Sequence, residues 1–339
     1  MPRPSSKITT LRPTTGRALV TGGAGFIGSH LVERLLAEGW DVSVIDDFSS
    51  GRPANLPAHR RLTVREGDVR DRSAVNQAIE SCSVVFHLAA VVGVRRVVGD
   101  PLRAIQVIAD GTSEVLAAAF ANGARVVLTS SSEVYGLSEA LPFAPDGPRV
   151  LGSTRVSRWA YATAKALDEH LLFAYRERGL DGVVLRYFNT YGPRQDAAGY
   201  AGVIATFCDA VARGAPFEIH GNGSQTRCFC YVDDNVSATY RAGLVSQADG
   251  EVFNIGSTHE VSVLALSSLV AEAAGVEPER RFLPFAAVFG DRFEDPPRRV
   301  PDISLAERLL GFRPMTPLSQ GIQRTLAWAK DQQSAARKR

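Results

Sequence analysis

The sequence predicts an α/β fold in which a parallel sheet carries helices on both faces. Through the first half of the chain, short apolar runs typical of buried strands alternate with stretches of helical periodicity. A glycine-rich turn joins the first of these runs to the first helix. The pattern therefore predicts a doubly wound sheet of the Rossmann type, in which ligands bind beyond the carboxyl ends of the strands.

The predicted elements follow from the spacing of apolar residues. The first helix has Ile27, Leu31 and Leu35 at helical spacing. The strands are predicted at residues 18–20, 42–45, 62–64, 84–88, 126–128 and 183–185. The other main helices of the first half are predicted at residues 104–121 and 160–178. Each polar motif discussed below follows a strand or lies on a helix, so we expect the motifs to converge on one crevice.

The glycine-rich turn at residues 20–28 predicts a dinucleotide site. It places Gly22, Gly25 and Gly28 between the first strand and the first helix. Glycine is needed there because the backbone must turn tightly, approach a pyrophosphate and let the helix pack against the strand. The phosphates then lie at the helix N-terminus, at Phe26 and Ile27, where free N–H groups and the helix dipole favour anions.

Two acidic residues that follow the second strand indicate which dinucleotide is bound. Asp46 and Asp47 stand at roughly the ~20-residue offset where a carboxylate binds the ribose hydroxyls of the adenosine. An acidic side chain there repels a 2′-phosphate, so the predicted cofactor is NAD, with Arg52 as an opposing charge nearby. A solvated strand cap is the other interpretation of the two acids.

Length and composition predict more than one structural unit. A chain of 339 residues with 45% hydrophobic content exceeds one compact domain of ordinary size. We predict an NAD-binding Rossmann domain at residues 17–191 and a lobe at 192–330 that mainly binds the substrate, with some strands returning to the main sheet. Residues 1–16 and 331–339 lack apolar periodicity, so a disordered arm and a similar tail are expected.

The composition also argues against several classes of function. The chain has 38 Lys and Arg and 36 Asp and Glu, a net charge of +2, which is too balanced for general nucleic-acid binding. It has neither a run of ~18 apolar residues nor the apolar core of a signal peptide, so we expect no membrane association and a cytoplasmic location. The cysteines match no zinc-site spacing, so no metal is expected. Cys228 and Cys230 flank Phe229 in a predicted strand, on one face.

Tyr161 and Lys165 form the predicted catalytic pair. They are four residues apart on a predicted helix and therefore lie on one face. A free tyrosine has a pKa near ~10, and a nearby ammonium and nicotinamide cation favour its phenolate. Ser131 follows the fifth strand, where its hydroxyl can bind the same substrate oxygen. The three residues predict a base that removes a proton from a sugar hydroxyl while hydride leaves its carbon.

In these motifs the chain resembles the extended short-chain dehydrogenases/reductases that act on nucleotide sugars. The resemblance covers residues 17–325 and includes the Gly-Asp-Val, His-Leu-Ala-Ala and Arg-Tyr-Phe-Asn strings at residues 67–69, 87–90 and 186–189, and the string at residues 221–227. It implies further cofactor contacts from Asp68, Val69, Leu88 and Ala89, the first two flanking the adenine. It also implies a homodimer, because the helices equivalent to 104–121 and 160–178 form a four-helix contact in that family.

The resemblance implies a UDP-sugar as substrate and a set of residues that bind it. Ser132, Asn189 and Arg227 are implied as substrate contacts, with Asn189 and Arg227 on the diphosphate. A guanidinium suits that position because its fork matches phosphate oxygens bidentately. A surface ion pair is the other interpretation of Arg227.

The predicted reaction depends on what lies beside C5 and C6 of the sugar. Glu133 stands where the dehydratases and decarboxylases of the family carry a carboxylate, while Ser132 stands where the dehydratases usually have Asp. The Arg158-Trp-Ala-Tyr161 string and the arginine motif at 295–303 resemble those of UDP-glucuronate decarboxylases, with Arg299 as the catalytic arginine. An arginine opposite a glutamate suits a substrate carboxylate that is held and then lost as carbon dioxide.

The sequence therefore predicts NAD-dependent decarboxylation of UDP-glucuronate to UDP-xylose through a 4-keto intermediate, with NAD regenerated in each cycle. The Tyr-Ala-Thr-Ala-Lys string at residues 161–165 is closer to epimerases, so a UDP-glucuronate or UDP-glucose 4-epimerase is the alternative. Some uronate epimerases have an arginine where this chain has Asp196. A nucleotide-sugar 4,6-dehydratase and a non-catalytic dinucleotide-sensing protein are the other hypotheses. The intact Ser131, Tyr161 and Lys165 argue against a sensing protein, which needs no base.

Overall fold

The computed structural model describes residue 12 and residues 15–197, 202–289 and 294–337. Its strands, in chain order, are β1 (Arg17–Thr21), β2 (Asp41–Asp46), β3 (Leu62–Glu66), β4 (Val84–His87), β5 (Arg125–Ser131), β6 (Gly182–Tyr187), β7 (Thr190–Tyr191), β8 (Phe217–His220), β9 (Thr226–Cys228), β10 (Cys230–Tyr231), β11 (Val252–Ile255), β12 (Glu260–Ser262) and β13 (Arg280–Leu283). Its α-helices are α1 (Phe26–Ala37), α2 (Arg72–Ile79), α3 (Val94–Gly99), α4 (Pro101–Asn122), α5 (Arg158–Arg176), α6 (Val203–Arg213), α7 (Val232–Leu244), α8 (Val263–Ala274), α9 (Phe285–Phe289), α10 (Ser304–Leu310) and α11 (Leu318–Arg337).

The main sheet confirms the predicted Rossmann fold. Seven parallel strands lie in the order β11-β6-β5-β4-β1-β2-β3. Val20 of β1 pairs with Val44 of β2 on one side and with Phe86 of β4 on the other. The strand order reverses between β1 and β4, so a crevice opens there at the carboxyl ends of the strands.

Apolar side chains bury both faces of this sheet. One face packs against α1 and α7 through residues such as Leu31 and Val236. The other packs against α2, α4 and α5 through residues such as Val75, Val115 and Leu172. Both faces of a parallel sheet are covered because crossover helices lie on either side, which accounts for the near-continuous apolar runs of its strands. The six predicted strands and three predicted helices of the first half are confirmed, with ends shifted by a few residues.

The second half of the chain adds one strand to the main sheet and contributes to smaller strand pairs outside it. Strand β11 pairs with β6 at the edge of the main sheet, as expected for a returning strand. Separate two-stranded pairs join β10 to β7, β12 to β9 and β13 to β8. The predicted strand through Cys228 and Cys230 is wrong, because β9 ends at Cys228 to pair with β12 and β10 begins at Cys230 to pair with β7. Both cysteines are nevertheless buried.

The two chain ends differ from the predicted disorder where they are described. Most of the predicted arm, at residues 1–11, 13 and 14, lies outside the described residues. Arg12 is fixed, since its backbone N–H donates to the carbonyl of Leu244 at 2.8 Å. The predicted tail is wrong for residues 331–337, which continue α11. That stretch has no Gly or Pro and contains two glutamines and two alanines, which have good helix propensity, so the helix does not end at Lys330.

Helix α4 is the one helix of the described residues with the length and hydropathy of a membrane span. Half of its apolar stretch is buried inside the protein. Its buried residues include Val107, Val115 and Leu116, which pack in the core on the face of the sheet that α2 and α5 also cover. Its apolar character is therefore that of a core helix.

Candidate active site

The glycine turn forms a tight cradle at the carboxyl end of β1. Gly22 has φ +67°, and a Cβ there would lie 2.9 Å from the backbone of Ala89. A Cβ on Gly28 would lie 2.2 Å from the carbonyl oxygen of Gly22. Helix α1 begins at Phe26, and no side chain caps its N-terminus. The turn therefore fits the pyrophosphate of NAD, because a close backbone approach and uncapped N–H groups are available together.

Asp46 and Asp47 lie at the carboxyl end of β2, beside this cradle. Asp46 is 7% exposed and accepts hydrogen bonds from the backbone N–H groups of Ala24 and Phe48 at 2.8 and 2.9 Å. Burial raises its pKa, and the two hydrogen bonds oppose that rise. Arg103 lies 3.5 Å from the carboxylate of Asp47. Both acids line the same cavity as the glycines.

The residues that follow β3 and β4 complete the wall of the cofactor cavity. Asp68 accepts hydrogen bonds from the backbone N–H and Nε of Arg70 at 2.9 and 3.0 Å, and the Arg70 hydrogen bond lowers the pKa of Asp68. After β4, the backbone N–H groups of Leu88 and Ala89 each donate to Oγ1 of Thr21 at 3.1 Å. This arrangement ties the end of β4 to the end of β1, at the point where the strand order reverses.

Ser131, Tyr161 and Lys165 lie around one cavity. Ser131 is the last residue of β5, while the other two project from α5. Burial raises the pKa of Tyr161 and the Glu133 carboxylate raises it further, whereas a hydrogen bond with Ser131 lowers it. The ammonium of Lys165 donates to the carbonyl oxygen of Thr129 at 3.0 Å.

Glu133 is held between two arginines. The Ser131 hydroxyl accepts a hydrogen bond from the Glu133 backbone at 3.2 Å, which starts a short 3₁₀ turn directly after β5. Both terminal nitrogens of Arg299 contact the Glu133 carboxylate, Nη2 at 3.0 Å from Oε2. Nη2 of Arg158 lies 3.3 Å from Oε2. Burial alone would raise the pKa of Glu133, but the two guanidinium groups hold it at about 2, so the side chain is ionised at neutral pH.

Asp295 extends this cluster toward Arg227. Its Oδ1 accepts from Nη2 of Arg158 at 3.0 Å, and its Oδ2 accepts from Nη2 of Arg227 at 2.7 Å. Together with Glu133 and Arg299 the cluster contains three guanidinium groups and two carboxylates, which leaves one positive charge. Such a site suits an anionic ligand.

The structure brings all of the predicted site residues except Arg227 to one cavity. A cavity of about 350 Å³ is lined by Gly22, Gly25, Phe26, Ile27, Gly28, Asp46, Asp47, Asp68, Val69, Leu88, Ala89, Ser131, Ser132, Glu133, Tyr161, Lys165, Asn189 and Arg299. Arg227 lines an adjoining cavity of about 240 Å³, which shares Glu133, Asn189 and Arg299 with the first. The side chain of Asn189 donates to the carbonyl oxygen of Cys228 at 3.0 Å.

Sequence reasoning did not assign two members of the cluster. In the sequence, Arg158 and Asp295 belong to strings that resemble those of the decarboxylases, and the resemblance gives neither residue a role. Their positions in the sequence could have indicated a place in the site, since Arg158 lies one helical turn before Tyr161 and Asp295 is the first residue of the arginine motif.

Asp196 lies elsewhere in the first cavity and is paired with Arg96 of α3. This ion pair joins the loop after β7 to the segment after β4. A carboxylate with its own arginine partner therefore occupies the position for which some uronate epimerases have an arginine.

The Rossmann sheet, the glycine cradle and the Ser131, Tyr161 and Lys165 group define a nicotinamide-dependent enzyme. Comparison with protein families identifies the family to which the chain belongs. The model of the NAD dependent epimerase/dehydratase family matches residues 18–256, and the chain belongs to this family. NAD is its cofactor, as the fit of the cradle indicates, and its relatives act on nucleotide sugars.

Three curated relatives differ in the reaction for which they are named. UDP-N-acetyl-alpha-D-glucosaminuronate decarboxylase of Bacillus cytotoxicus is 37% identical over 93% of this chain and 98% of its own length. UDP-glucose 4-epimerase of Mycolicibacterium smegmatis is 38% identical over 93% of this chain and 99% of its own. UDP-glucuronic acid decarboxylase 1 of Xenopus tropicalis is 33% identical over 91% of this chain and 71% of its own.

Solved structures with the same fold include two epimerases. UDP-glucose 4-epimerase of Thermotoga maritima, solved with UDP-glucose, is 33% identical with a TM-score of 0.84 and covers 93% of this chain and 99% of its own. UDP-glucuronic acid 4-epimerase of Bacillus cereus, solved with UDP-glucuronic acid and NAD, is 30% identical with a TM-score of 0.83 and the same coverage. Relatives of similar identity thus catalyse different reactions, so the choice among reactions depends on the residues of the site.

Proposed function

We propose that this protein decarboxylates UDP-glucuronate to UDP-xylose through a 4-keto intermediate, with NAD regenerated in each cycle. The observation that carries the proposal is the buried cluster of Glu133, Arg158 and Arg299 beside Tyr161. With Asp295 and Arg227 the cluster contains three guanidinium groups and two carboxylates and so retains one positive charge, and an uncompensated buried charge is costly. A uronate carboxylate compensates that charge, whereas the uncharged C6 hydroxymethyl group of UDP-glucose does not.

Tyr161 acts as the base at the C4 hydroxyl. The bound cofactor supplies a reversible hydride acceptor. Ser131 orients the C4 oxygen, Tyr161 takes its proton, and Lys165 favours the phenolate form of Tyr161. At the end of the cycle Tyr161 returns the proton to the C4 oxygen.

Glu133 and Arg299 act at the C5 and C6 end of the sugar. A ketone at C4 makes the C6 carboxylate easy to lose, because the electron pair left at C5 is delocalised into an enolate. Arg299 binds the carboxylate that is lost, and the negative charge that develops lies on the C4 oxygen, beside Ser131 and Tyr161. Glu133 is ionised in the free protein, so it acts as a hydrogen-bond acceptor that orients the water molecule from which C5 is protonated. The hydroxide that is left takes a proton from solvent, so one proton is taken up for each carbon dioxide released.

A 2-acetamido uronate is a second candidate substrate. The Bacillus cytotoxicus relative is named for decarboxylation of such a UDP-sugar and matches nearly its whole length. The roles proposed for Tyr161, Glu133 and Arg299 concern C4, C5 and C6, so a substituent on C2 leaves them unchanged.

4-Epimerisation of UDP-glucuronate or UDP-glucose is the alternative reaction. The Mycolicibacterium smegmatis relative and the Tyr-Ala-Thr-Ala-Lys string at residues 161–165 support it. Decarboxylation is preferred for two reasons. Arg299 contacts Glu133 with both terminal nitrogens. Asp196, which is paired with Arg96, stands where some uronate epimerases have an arginine.

A panel of substrates tests the proposal. The protein is incubated with UDP-glucuronate, its 2-acetamido counterpart or UDP-glucose, and the products are identified by mass spectrometry and proton NMR. Loss of carbon dioxide from either uronate supports the proposed reaction, and the rates rank the two candidates. Conversion of UDP-glucose alone would contradict it.

We further propose that α4 and α5 form a homodimer contact. Large apolar side chains remain exposed on these helices, among them Leu102 at 63%, Ile105 at 42% and Leu167 at 46%. Light scattering at micromolar concentration is expected to give the mass of two chains. Ile105→Glu combined with Leu167→Glu is expected to give the mass of one, because charged groups at the centre of an apolar interface are not compensated. A monomeric wild-type protein would rule this contact out.

A further inference from the structure

Asp168 is a buried carboxylate beside Lys165 that has no role in the reaction proposed above. Its Oδ2 lies 3.3 Å from Nζ of Lys165, and the side chains of Asp168 and Lys165 are 0% and 2% exposed. Asp168 lies on α5, one turn after Lys165 and about two turns after Tyr161. The ammonium of Lys165 is therefore paired with a buried carboxylate, while it lines the same cavity as Tyr161.

A chain of polar groups holds Asp168 in place from the other side. The Thr112 hydroxyl of α4 lowers the pKa of Asp168 and lies 3.0 Å from Nε2 of His87. Nδ1 of His87 lies 2.7 Å from the hydroxyl of Thr21. Thr21 already accepts the backbone N–H groups of Leu88 and Ala89, so it donates to His87, and His87 donates through Nε2 to Thr112, which leaves the Thr112 proton available to Asp168.

Every donor in this chain points toward the carboxylate, which favours its ionised form. Burial raises the pKa of Asp168 to about 6, and Lys165 and Thr112 oppose the rise. His87 is neutral, because burial and the charge of Lys165 lower its pKa to about 3. Asp168 is consequently ionised above neutral pH, with Lys165 as its counter-ion.

The other charged groups near α5 are engaged elsewhere. Glu169 follows Asp168 on the helix, but its carboxylate binds Arg186 of β6 at 2.7 Å and Ser130 of β5. Glu133, after β5, faces Tyr161 and is paired with arginines. Asp168 is thus the carboxylate that opposes the effect of Lys165 on Tyr161 through direct contact with the lysine.

We propose that Asp168 is a positioning residue that offsets the charge of Lys165 in the free enzyme, so that Tyr161 becomes an effective base only when the nicotinamide cation is bound. This proposal rests on the roles proposed above for Tyr161 and Lys165. Without a cofactor the ammonium is largely neutralised by Asp168, and Tyr161 stays protonated. A nicotinamide cation bound beside Tyr161 would add its positive charge to the environment of the phenol.

Titration of Tyr161 in Asp168→Asn tests the proposal. The amide keeps the shape of the side chain and its capacity to bond Thr112 and Lys165, but removes the charge. In cofactor-free protein, the tyrosinate absorbance that Tyr161→Phe abolishes is expected to appear about 1 pH unit lower in Asp168→Asn than in wild type. The acid limb of the pH–rate profile for substrate oxidation is expected to move in the same direction.

Controls separate charge at this position from general effects. Glu272→Gln removes one exposed carboxylate from α8 and is expected to leave the titration of Tyr161 unchanged. Thr112→Val weakens the ionised form of Asp168 without changing a formal charge and is expected to give a smaller shift to lower pH, which keeps the test available if Asp168→Asn does not fold. An unchanged or higher pKa of Tyr161 in both variants would overturn the proposal. Full turnover by Tyr161→Phe would instead overturn the proposed base.

Discussion

Replacing Tyr161 by phenylalanine is expected to lower the rate of sugar oxidation by about 10²–10⁴-fold, the usual contribution of general acid–base catalysis. The substitution removes only the hydroxyl that takes the C4 proton, so the apolar contacts of the ring are kept. Every later step requires the ketone, and release of carbon dioxide should therefore fall by the same factor. Stopped-flow detection of reduced cofactor and a carbon dioxide assay measure the two steps.

Tyr175→Phe is the matched control, since it removes a hydroxyl from the same helix but outside both cavities. It is expected to retain wild-type turnover. Titration with NAD should give similar affinity in both variants, because the glycine cradle is unchanged. Retention of full activity by Tyr161→Phe would show that another group is the base.

Replacing Glu133 by glutamine is expected to separate oxidation from decarboxylation. The amide removes the negative charge between Arg299 and Arg158, so two buried guanidinium groups lose their shared counter-ion. Carbon dioxide release is expected to fall about 10²-fold or more, while some oxidation at C4 continues. The 4-keto sugar and reduced cofactor should then accumulate, which mass spectrometry and absorbance detect together.

Glu139→Gln is the control for Glu133, because Glu139 is an exposed carboxylate on the segment that follows the same strand. It is expected to behave as wild type. If Glu133→Gln released carbon dioxide at the wild-type rate, Glu133 would have no part in chemistry at C5. If it lost oxidation as completely as Tyr161→Phe does, the separation of the two stages would be wrong.

The local parts of this site were predictable from the sequence because their determinants are local. The glycine turn, the acids after β2 and the Tyr161 and Lys165 pair each depend on spacings within one strand, turn or helix. Their convergence followed from a general property of parallel sheets, whose carboxyl ends meet at one edge. Helix and strand ends were less predictable, because caps and fraying shift them by a few residues.

The charge cluster was predictable only in part, because its contacts join distant segments. Glu133 and Arg299 are 166 residues apart, and Arg158 and Asp295 are 137 apart. Only the family resemblance linked Glu133 with Arg299, and nothing in the sequence indicated that Asp295 bridges Arg158 and Arg227. The segment containing Cys228 and Cys230 illustrates the same limit, since alternation predicted one strand where tertiary pairing ends one strand and begins another.

The product formed by the wild-type protein from UDP-glucuronate tests the proposed function most directly. Purified protein supplied with NAD is incubated with UDP-glucuronate labelled with ¹³C at C6, and the nucleotide sugars and carbon dioxide are quantified by NMR and mass spectrometry. We expect one labelled carbon dioxide for each UDP-xylose and no net consumption of NAD. UDP-galacturonate that retains the label, formed without UDP-xylose, would contradict decarboxylation and establish the protein as a uronate 4-epimerase.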